Sequence, residues 1–144
     1  MSDTILLVED SPDDVLFLTR AFRKAGVEHA LHVAEDGQQA LDYLAGNGEY
    51  GDRARHPLPL LVLLDLKSPY VPGLEVLRWI RSQAALKNVT VVVLTSSDHP
   101  ADIKESYALG ANSFLSKPSN PNELTELIRS MTDYWLHKNV QDRS

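Results

Sequence analysis

Five polar side chains stand at the ends of four stretches that are predicted to be β-strands. Glu9 and Asp10 follow the first stretch, Asp65 the central one, Thr95 the next and Lys117 the last. Carboxylates can act as a nucleophile and as ligands of a hard cation such as Mg²⁺, a hydroxyl can donate to phosphoryl oxygens, and an ammonium can neutralise their charge. Each residue alone is weak evidence for such a site, because acids that follow strands often cap helices. Together they favour a phosphoryl group carried on a carboxylate.

The run that leads to Asp65 organises the rest of the chain. Residues 60–64 are five consecutive apolar residues, bracketed by prolines on both sides. So short a run between prolines predicts a strand buried on both faces rather than a helix. In an open α/β sheet, ligands bind outside the carboxyl ends of the strands, which is where Asp65 would lie. The run by itself leaves open a turn-capping role for Asp65.

Apolar runs alternate along the chain with helical patterns. The predicted strands are 4–8, 28–34, 60–64, 89–94 and 112–115, and the helices begin near Ser11, Asp36, Gly73, Pro100 and Asn120. Five strands alternating with five helices predict an α/β fold with a five-stranded parallel sheet and helices on both faces. Right-handed crossovers give the strand order 2-1-3-4-5, which makes the first and third strands neighbours. The acids that end these two strands should therefore converge.

Composition limits the function classes that need be considered. The 144 residues, with a net charge of -6 and no cysteine, predict one domain over 1–144, without disulfides or thiolate metal sites. The acidic balance and the absence of a Lys/Arg cluster argue against nucleic-acid binding. No apolar run is long enough to span a bilayer, and the first residues have no basic start of a signal sequence. We expect a cytoplasmic protein that contacts neither membrane nor nucleic acid.

The strand-end motifs resemble those of receiver domains of bacterial two-component response regulators, over nearly the whole chain. The matching motifs are Val8-Glu9-Asp10, Leu64-Asp65, Leu94-Thr95-Ser96 and Ser116-Lys117-Pro118, with Pro69 and Gly73 in the intervening loop. The resemblance implies a CheY-like, flavodoxin-like fold and a phosphorelay protein that is phosphorylated by a sensor histidine kinase. It implies no enzyme activity beyond self-catalysed phosphotransfer and slow autodephosphorylation.

Site roles follow from the resemblance one residue at a time. It implies that Asp65 is the phosphoacceptor and that Lys117 pairs with the phosphoryl group. The cofactor it implies is Mg²⁺, held by Glu9, Asp10, Asp65 and the backbone carbonyl of Lys67. It also implies that Thr95 and Phe114 form a switch, in which the hydroxyl moves onto the phosphoryl group and the aromatic ring turns inward. The loop departs from the family pattern at Lys67, Ser68, Val71 and Pro72.

A narrower resemblance is to the stand-alone receivers that are paired with bacterial and cyanobacterial phytochromes. It depends on the long loop 46–59 and on the segment Asp133-Tyr134-Trp135-Leu136. We expect a phytochrome as kinase, an extended final helix with a short tail at about 130–144, and no output domain. Tyr134, Trp135 and Leu136 form a candidate homodimer interface, because part of this apolar set should lie outside the core. In the alternative, Tyr134 and Trp135 cap the core of their own domain.

Three rival functions remain to be weighed. A flavodoxin-like electron carrier would need a hydroxyl- and glycine-rich phosphate loop after the first strand, where this chain is acidic. A phosphatase with an Asp nucleophile would need a general acid two residues later, where Lys67 stands. A phosphorylation-independent adaptor with a relict acidic site is not excluded by any residue of the sequence.

Overall fold

The fold is known from a computed structural model that describes residues 3–142. Strands and helices alternate throughout this range. The strands are β1 (Thr4–Val8), β2 (Ala30–Ala34), β3 (Leu61–Leu64), β4 (Thr90–Thr95) and β5 (Ser113–Ser116), and the helices are α1 (Pro12–Lys24), α2 (Gly37–Ala45), α3 (Gly73–Ser82), α4 (Pro100–Ala108) and α5 (Pro121–Thr132).

All five strands are parallel and lie in the order β2-β1-β3-β4-β5. The predicted sheet and its strand order are therefore confirmed. The second strand begins at Ala30, two residues later than predicted, since the polar start of the run 28–34 stays outside the ladder. β2, which is less buried than the inner strands, lies at one edge of the sheet. Because all strands point the same way, their carboxyl ends lie at one edge of the sheet.

Helix starts agree with the capping pattern of the sequence. Ser11 accepts a hydrogen bond from the backbone N–H of Asp14, and Asp36 accepts one from that of Gln39. The Gln39 side chain reaches back as in a capping box, but it accepts from the N–H of Glu35 rather than from the cap itself. These contacts satisfy N–H groups that a helix leaves unpaired at its start. They fix where α1 and α2 begin relative to the strands before them.

The core is split into two layers by the sheet. Alternate residues of each inner strand point to opposite faces, so Leu6 and Val8 pack towards α2 and α3, whereas Ile5 and Leu7 pack towards α1 and α5. The inner strands β1, β3 and β4 are buried along their full length. Continuous apolar runs are the sequence signature of such doubly covered strands. This rigid centre holds the strand ends on which the site is built.

The long loop 46–59 is ordered by one arginine. It contains a short 3₁₀ turn at Gly48–Gly51. The Arg53 guanidinium donates to the carbonyls of Tyr43 and Leu44 at 2.8 Å and to that of His56 at 3.1 Å. The first two carbonyls belong to the last turn of α2, where helix carbonyls lack partners. Arg53 therefore fastens the loop to the end of α2.

The chain after α5 forms a wider helical turn. A π-helical segment, Asp133–Lys138, continues α5 directly. Trp135 and Leu136, which are adjacent in sequence, both pack in part against the core face that α1 and α5 cover, while Tyr134 is half exposed. Of the apolar set Tyr134, Trp135 and Leu136, Tyr134 therefore lies outside the core, whereas the wider π-turn brings Leu136 inward together with Trp135. Along residues 3–142 we find no helix of the length and apolarity that a membrane crossing requires.

Candidate phosphoryl-transfer site

Four of the side chains predicted to form the site meet at the carboxyl ends of β1, β3, β4 and β5. Glu9 follows β1, Asp65 follows β3, Thr95 ends β4 and Lys117 follows β5. The backbone keeps these ends in register, because the N–H of Asp65 donates to the Val8 carbonyl at 3.1 Å and that of Lys117 to the Thr95 carbonyl at 2.8 Å. Residues separated by more than a hundred positions in sequence therefore meet.

Lys117 lies at the centre of three carboxylates. Its Nζ is 2.7 Å from Glu9 Oε1, 2.9 Å from Asp65 Oδ2 and 3.0 Å from Asp14 Oδ2. The Lys117 side chain is only 7% exposed, as is that of Asp65. A buried ammonium with three carboxylate partners is fully hydrogen-bonded, which is the condition for burying such charges at an acceptable cost. It also neutralises part of the acidic charge.

The other oxygen of Asp65 is held separately. Asp65 Oδ1 accepts from the Thr95 hydroxyl and from the backbone N–H of Lys67, both at 3.0 Å. The Thr95 hydroxyl in turn lies 3.4 Å from the N–H of Ser97. Asp65 Oδ2 therefore has a cationic partner, Lys117, and Asp65 Oδ1 has two neutral hydrogen-bond donors. This fixes the orientation of the carboxylate on the end of β3.

Burial and charge shift the pKa values of these groups in different directions. Burial raises the pKa of Glu9 to about 7, against the opposing effect of Lys117. Burial also disfavours ionised Asp65, but the bonds from Lys117 and from the Lys67 N–H outweigh it, and the pKa of Asp65 is lowered. The partners of Lys117, Glu9 first and then Asp65, outweigh the effect of burial and raise its pKa. Asp65 is thus an ionised carboxylate beside a permanent cation.

The carboxylates are close enough to share a cation. Glu9, Asp14 and Asp65 each offer an oxygen, and these oxygens lie within 4.8 Å of one another. An all-oxygen, largely acidic donor set suits a hard divalent ion, so the residues fit the metal that the sequence predicted. Asp14 is a member that sequence reasoning missed, because its place in the first turn of α1 was read as a helix-dipole acid.

Two predicted metal ligands, Asp10 and the Lys67 carbonyl, do not belong to the group of three carboxylates. Asp10 is exposed and does not join the three-carboxylate group among the described residues. Lys67 is exposed and forms no ion pair with the three carboxylates among the described residues, while its backbone N–H contacts Asp65. Its carbonyl belongs to the loop that follows Asp65. The roles of Asp10 and of the Lys67 carbonyl stay predictions.

Phe114 lies on β5, partly buried against the core face covered by α2 and α3. Its backbone N–H donates to the hydroxyl of Tyr107 on α4 at 3.1 Å, and Tyr107 is half exposed. Helix α4 itself is weakly anchored, since Ser106 is its one buried residue. Phe114, one of the two predicted switch residues, therefore lies next to a helix with little core contact, which is a suitable place for a change of conformation.

Known proteins resemble this chain in sequence and in structure. The family model for the response regulator receiver domain matches residues 5–129. The chain is 37% identical to response regulator Rcp1 of Synechocystis sp. over 132 residues, covering 92% of this chain and 88% of that protein.

Solved structures agree along almost the full length. The crystal structure of the phosphorylated cyanobacterial phytochrome response regulator RcpA matches with a TM-score of 0.90 and 34% identity, covering 98% of this chain and 99% of that one. The Mn²⁺-bound form of response regulator Rcp1 matches with a TM-score of 0.85 and 35% identity, covering 96% and 98%.

Proposed function

This chain belongs to the response regulator receiver domain family, and we propose that its Asp65 accepts a phosphoryl group from the phosphohistidine of a sensor kinase. The observation that carries the proposal is the buried Asp65 carboxylate, bonded at one oxygen to Lys117 and at the other to Thr95. A lowered pKa keeps this carboxylate ionised and able to attack phosphorus.

The transfer exchanges one bond to phosphorus for another. A carboxylate oxygen of Asp65 forms the new P–O bond, and the P–N bond of the phosphohistidine breaks with its electron pair staying on the imidazole. The product is an acyl phosphate on Asp65. Lys117, already 2.9 Å from Asp65 Oδ2, stays charged and neutralises the added negative charge. The Thr95 hydroxyl donates a hydrogen bond to a phosphoryl oxygen instead of to Asp65 Oδ1.

The cofactor we propose is Mg²⁺, with Glu9, Asp65 and Asp14 or Asp10 as carboxylate ligands and the Lys67 carbonyl as a further one. When bound, such an ion supplies positive charge at the transferring phosphoryl oxygens. Glu9 would then be ionised, because a cation favours the charged form of a carboxyl group with a raised pKa. Support from relatives is the Mn²⁺-bound form of Rcp1.

The signal would leave through a change at Thr95 and Phe114. When Thr95 moves onto the phosphoryl group, it vacates space beside β5, and Phe114 turns into that space. The surface of α4, β5 and α5 would be reshaped, beginning with the bond between Phe114 N–H and the Tyr107 hydroxyl. This proposal gives the phosphorylated protein a surface distinct from that of the unphosphorylated one.

A kinase has an accessible approach beside the site. A cavity of about 320 Å³ borders Asp14 and Lys117 and is lined by Phe17 and Pro118. Phe17 is 45% exposed, so apolar surface is available beside the site for a donor that must come within bonding distance of Asp65. We propose that the donor is a phytochrome kinase, in line with the phytochrome response regulator RcpA among its structural relatives.

A phosphorylation-independent adaptor is the second candidate. One observation favours it: Lys117 already satisfies Glu9, Asp14 and Asp65, so the acidic site is stable in the metal-free protein. An adaptor would bind its partner equally well with or without a phosphoryl group.

The two candidates differ in their reaction with a small phosphodonor. The purified protein is incubated with acetyl phosphate and Mg²⁺, and its intact mass is measured against time. The receiver function predicts a gain of one phosphoryl group that EDTA prevents. An unchanged mass at millimolar Mg²⁺ would favour the adaptor.

A further inference from the structure

The loop that joins β3 to α3 is fastened to α2 by one side chain. Ser68 Oγ accepts a hydrogen bond of 2.6 Å from the backbone N–H of Gly37 and lies 3.2 Å from the Pro69 carbonyl. Gly37 is the first residue of α2, so its N–H has no partner within the helix. Ser68 therefore caps α2 from a loop 31 residues away in sequence.

Close backbone packing supports the same contact. Gly37 is buried, and a Cβ added there would overlap the carbonyl oxygen of Val71. At the other end of the loop, a Cβ on Gly73 would lie 2.5 Å from the carbonyl oxygen of Asp65. The loop is thus held between the start of α2 and the end of β3, and glycine is required at both places.

The position of Ser68 links this fastening to the phosphoryl site. The carbonyl of Lys67 is part of the peptide unit that joins Lys67 to Ser68, and the Lys67 N–H donates to Asp65 Oδ1 at 3.0 Å. Fixing Ser68 therefore limits rotation of the carbonyl that would face the metal. Mg²⁺ demands near-ideal octahedral geometry, so its affinity depends on how well such a ligand is held in place.

We propose that Ser68 is a positioning residue of the phosphoryl site: by binding the first N–H of α2, it orients the Lys67 carbonyl and couples cation binding to α2. The inference rests on the proposed function, since it needs a cation at Asp65. Coupling is reciprocal, so occupation of the site also tightens the start of α2. The helix then becomes a second element, besides β5 and α4, that responds to the site.

The test compares Mg²⁺ affinity by calorimetry in wild-type protein, Ser68→Ala, Ser68→Thr and Ser82→Ala. Ser82 is the matched control, because its hydroxyl makes a bond of 2.6 Å to the Trp79 carbonyl on α3, away from the site. We expect Ser68→Ala to weaken Mg²⁺ binding about three- to tenfold, the usual effect of one lost hydrogen bond. Ser68→Thr and Ser82→Ala should bind within about twofold of wild type.

A second measurement needs no variant. In wild-type protein, the amide resonance of Gly37 should shift on addition of Mg²⁺, whereas that of Asn122, capped by Asn120 at the start of α5, should not. The inference is overturned if Gly37 does not respond, or if Ser68→Ala binds Mg²⁺ as tightly as wild type or no more weakly than Ser82→Ala. If wild-type protein itself binds no Mg²⁺, the proposed function fails instead.

Discussion

Lys117 is the side chain on which the charge balance of the site depends. Its Nζ contacts Glu9, Asp14 and Asp65, and no other ammonium of the described residues lies among these acids. A bound cation and Lys117 must therefore share the same carboxylates. Mg²⁺ should stabilise the protein by about 2.7 kcal/mol at a hundredfold excess over its dissociation constant, with Lys117 lowering the affinity.

Removal of this ammonium gives the first prediction. Lys117→Met should lower the free energy of unfolding by about 3–5 kcal/mol in EDTA, because three acids lose their buried partner. Mg²⁺ should recover part of the loss by taking over the positive charge. Urea denaturation with and without Mg²⁺ measures both effects, and Lys104→Met on the exposed side of α4 is the control. An equal loss in both solutions would contradict a cation site.

At this scale, most of the side chains that meet at the carboxyl ends of the strands could be predicted from the sequence. Glu9, Asp65 and Thr95 could be predicted because each directly follows an apolar run. Lys117 lies two residues beyond the last predicted strand, 112–115, and the parallel sheet brings these strand ends together. Asp14 could not, because helical geometry alone does not show which first-turn acid turns back towards the sheet. Whether Asp10 or Asp14 completes a metal site stays a prediction.

At the scale of elements, Arg81 on α3 joins two loops, the one before β4 and the one before β5, at the opposite end of the sheet. Its Nε and Nη2 both donate to the Gly110 carbonyl, and its Nη1 donates to the carbonyl of Val89 at 2.7 Å. Nη2 also donates to Asn112 Oδ1 at 2.9 Å, and that oxygen accepts from the N–H of Val91. The guanidinium thereby satisfies carbonyls around the starts of β4 and β5.

Arg81→Lys should therefore be costly although it keeps the charge. An ammonium cannot reproduce the planar fork, so we expect a loss of about 2–3 kcal/mol in the free energy of unfolding. The control is Arg78→Lys, whose exposed pair with Glu75 at 3.5 Å should contribute less than about 1 kcal/mol. Chemical denaturation of both variants decides, and equal small losses would show that the fork is dispensable.

A histidine pair beside the long loop predicts a pH dependence of stability. The His32 ring lies 5.5 Å from that of Tyr43 and 6.2 Å from that of His56. Burial, and to a smaller extent His56, lowers the pKa of His32 below 6.5. The unfolded chain therefore binds a proton at His32 more tightly than the folded protein does. The contribution of neutral His32 to the free energy of unfolding is thus present above pH 6.5 and is lost as the pH falls through the folded pKa.

The difference between wild-type protein and His32→Gln isolates this effect from other titrating groups. The free energy of unfolding of wild type should fall more steeply than that of the variant between about pH 7 and about pH 5.5. Denaturant titrations at several pH values provide the measurement. Parallel curves for the two proteins would show that His32 carries no such linkage.

Element ends were predictable where side chains cap them, and less so elsewhere. Ser11, Asp36 and Asn120 mark the starts of α1, α2 and α5 through hydrogen bonds of their own side chains. The π-helical turn after α5 leaves no comparable signal, because it depends on tertiary contacts of Trp135 and Leu136. Local chemistry predicts local structure, and long-range packing decides the rest.

At the scale of the whole molecule, the homodimer predicted from the sequence has a defined candidate surface. Tyr134 is 50% exposed and packs edge-on against Trp135, with ring centroids 4.8 Å apart. Trp135 and Leu136 pack in part on their own domain, so they offer less exposed apolar surface to a second copy than Tyr134 does. Tyr134 is therefore the better residue for testing the interface, because its replacement disturbs the core least.

We expect sedimentation at micromolar concentration to give a dimer, and Tyr134→Ser to shift it towards monomer, since exposed aromatic residues often dominate interfaces. Tyr107→Ser, a change of the same kind at a tyrosine on α4 that is also 50% exposed, serves as the comparison. A wild-type monomer both with and without a phosphoryl mimic would end the dimer proposal.

The overall architecture was the most predictable property of the chain. Strand order followed from alternating elements and right-handed crossovers, and the fully buried β3 agrees with its continuous apolar run. The fastening of the β3–α3 loop by Ser68 could not be predicted, since it joins residues far apart in sequence through one hydroxyl.

The proposed function depends on which side chain carries the phosphoryl group. The phosphorylated protein is treated with borohydride, which reduces an aspartyl phosphate to homoserine, and its peptides are mapped by mass spectrometry. We predict homoserine at position 65 in wild-type protein and none in Asp65→Asn. Homoserine at another aspartate position, or phosphorylation of Asp65→Asn at the wild-type rate, would contradict the assignment of Asp65 as the phosphoacceptor.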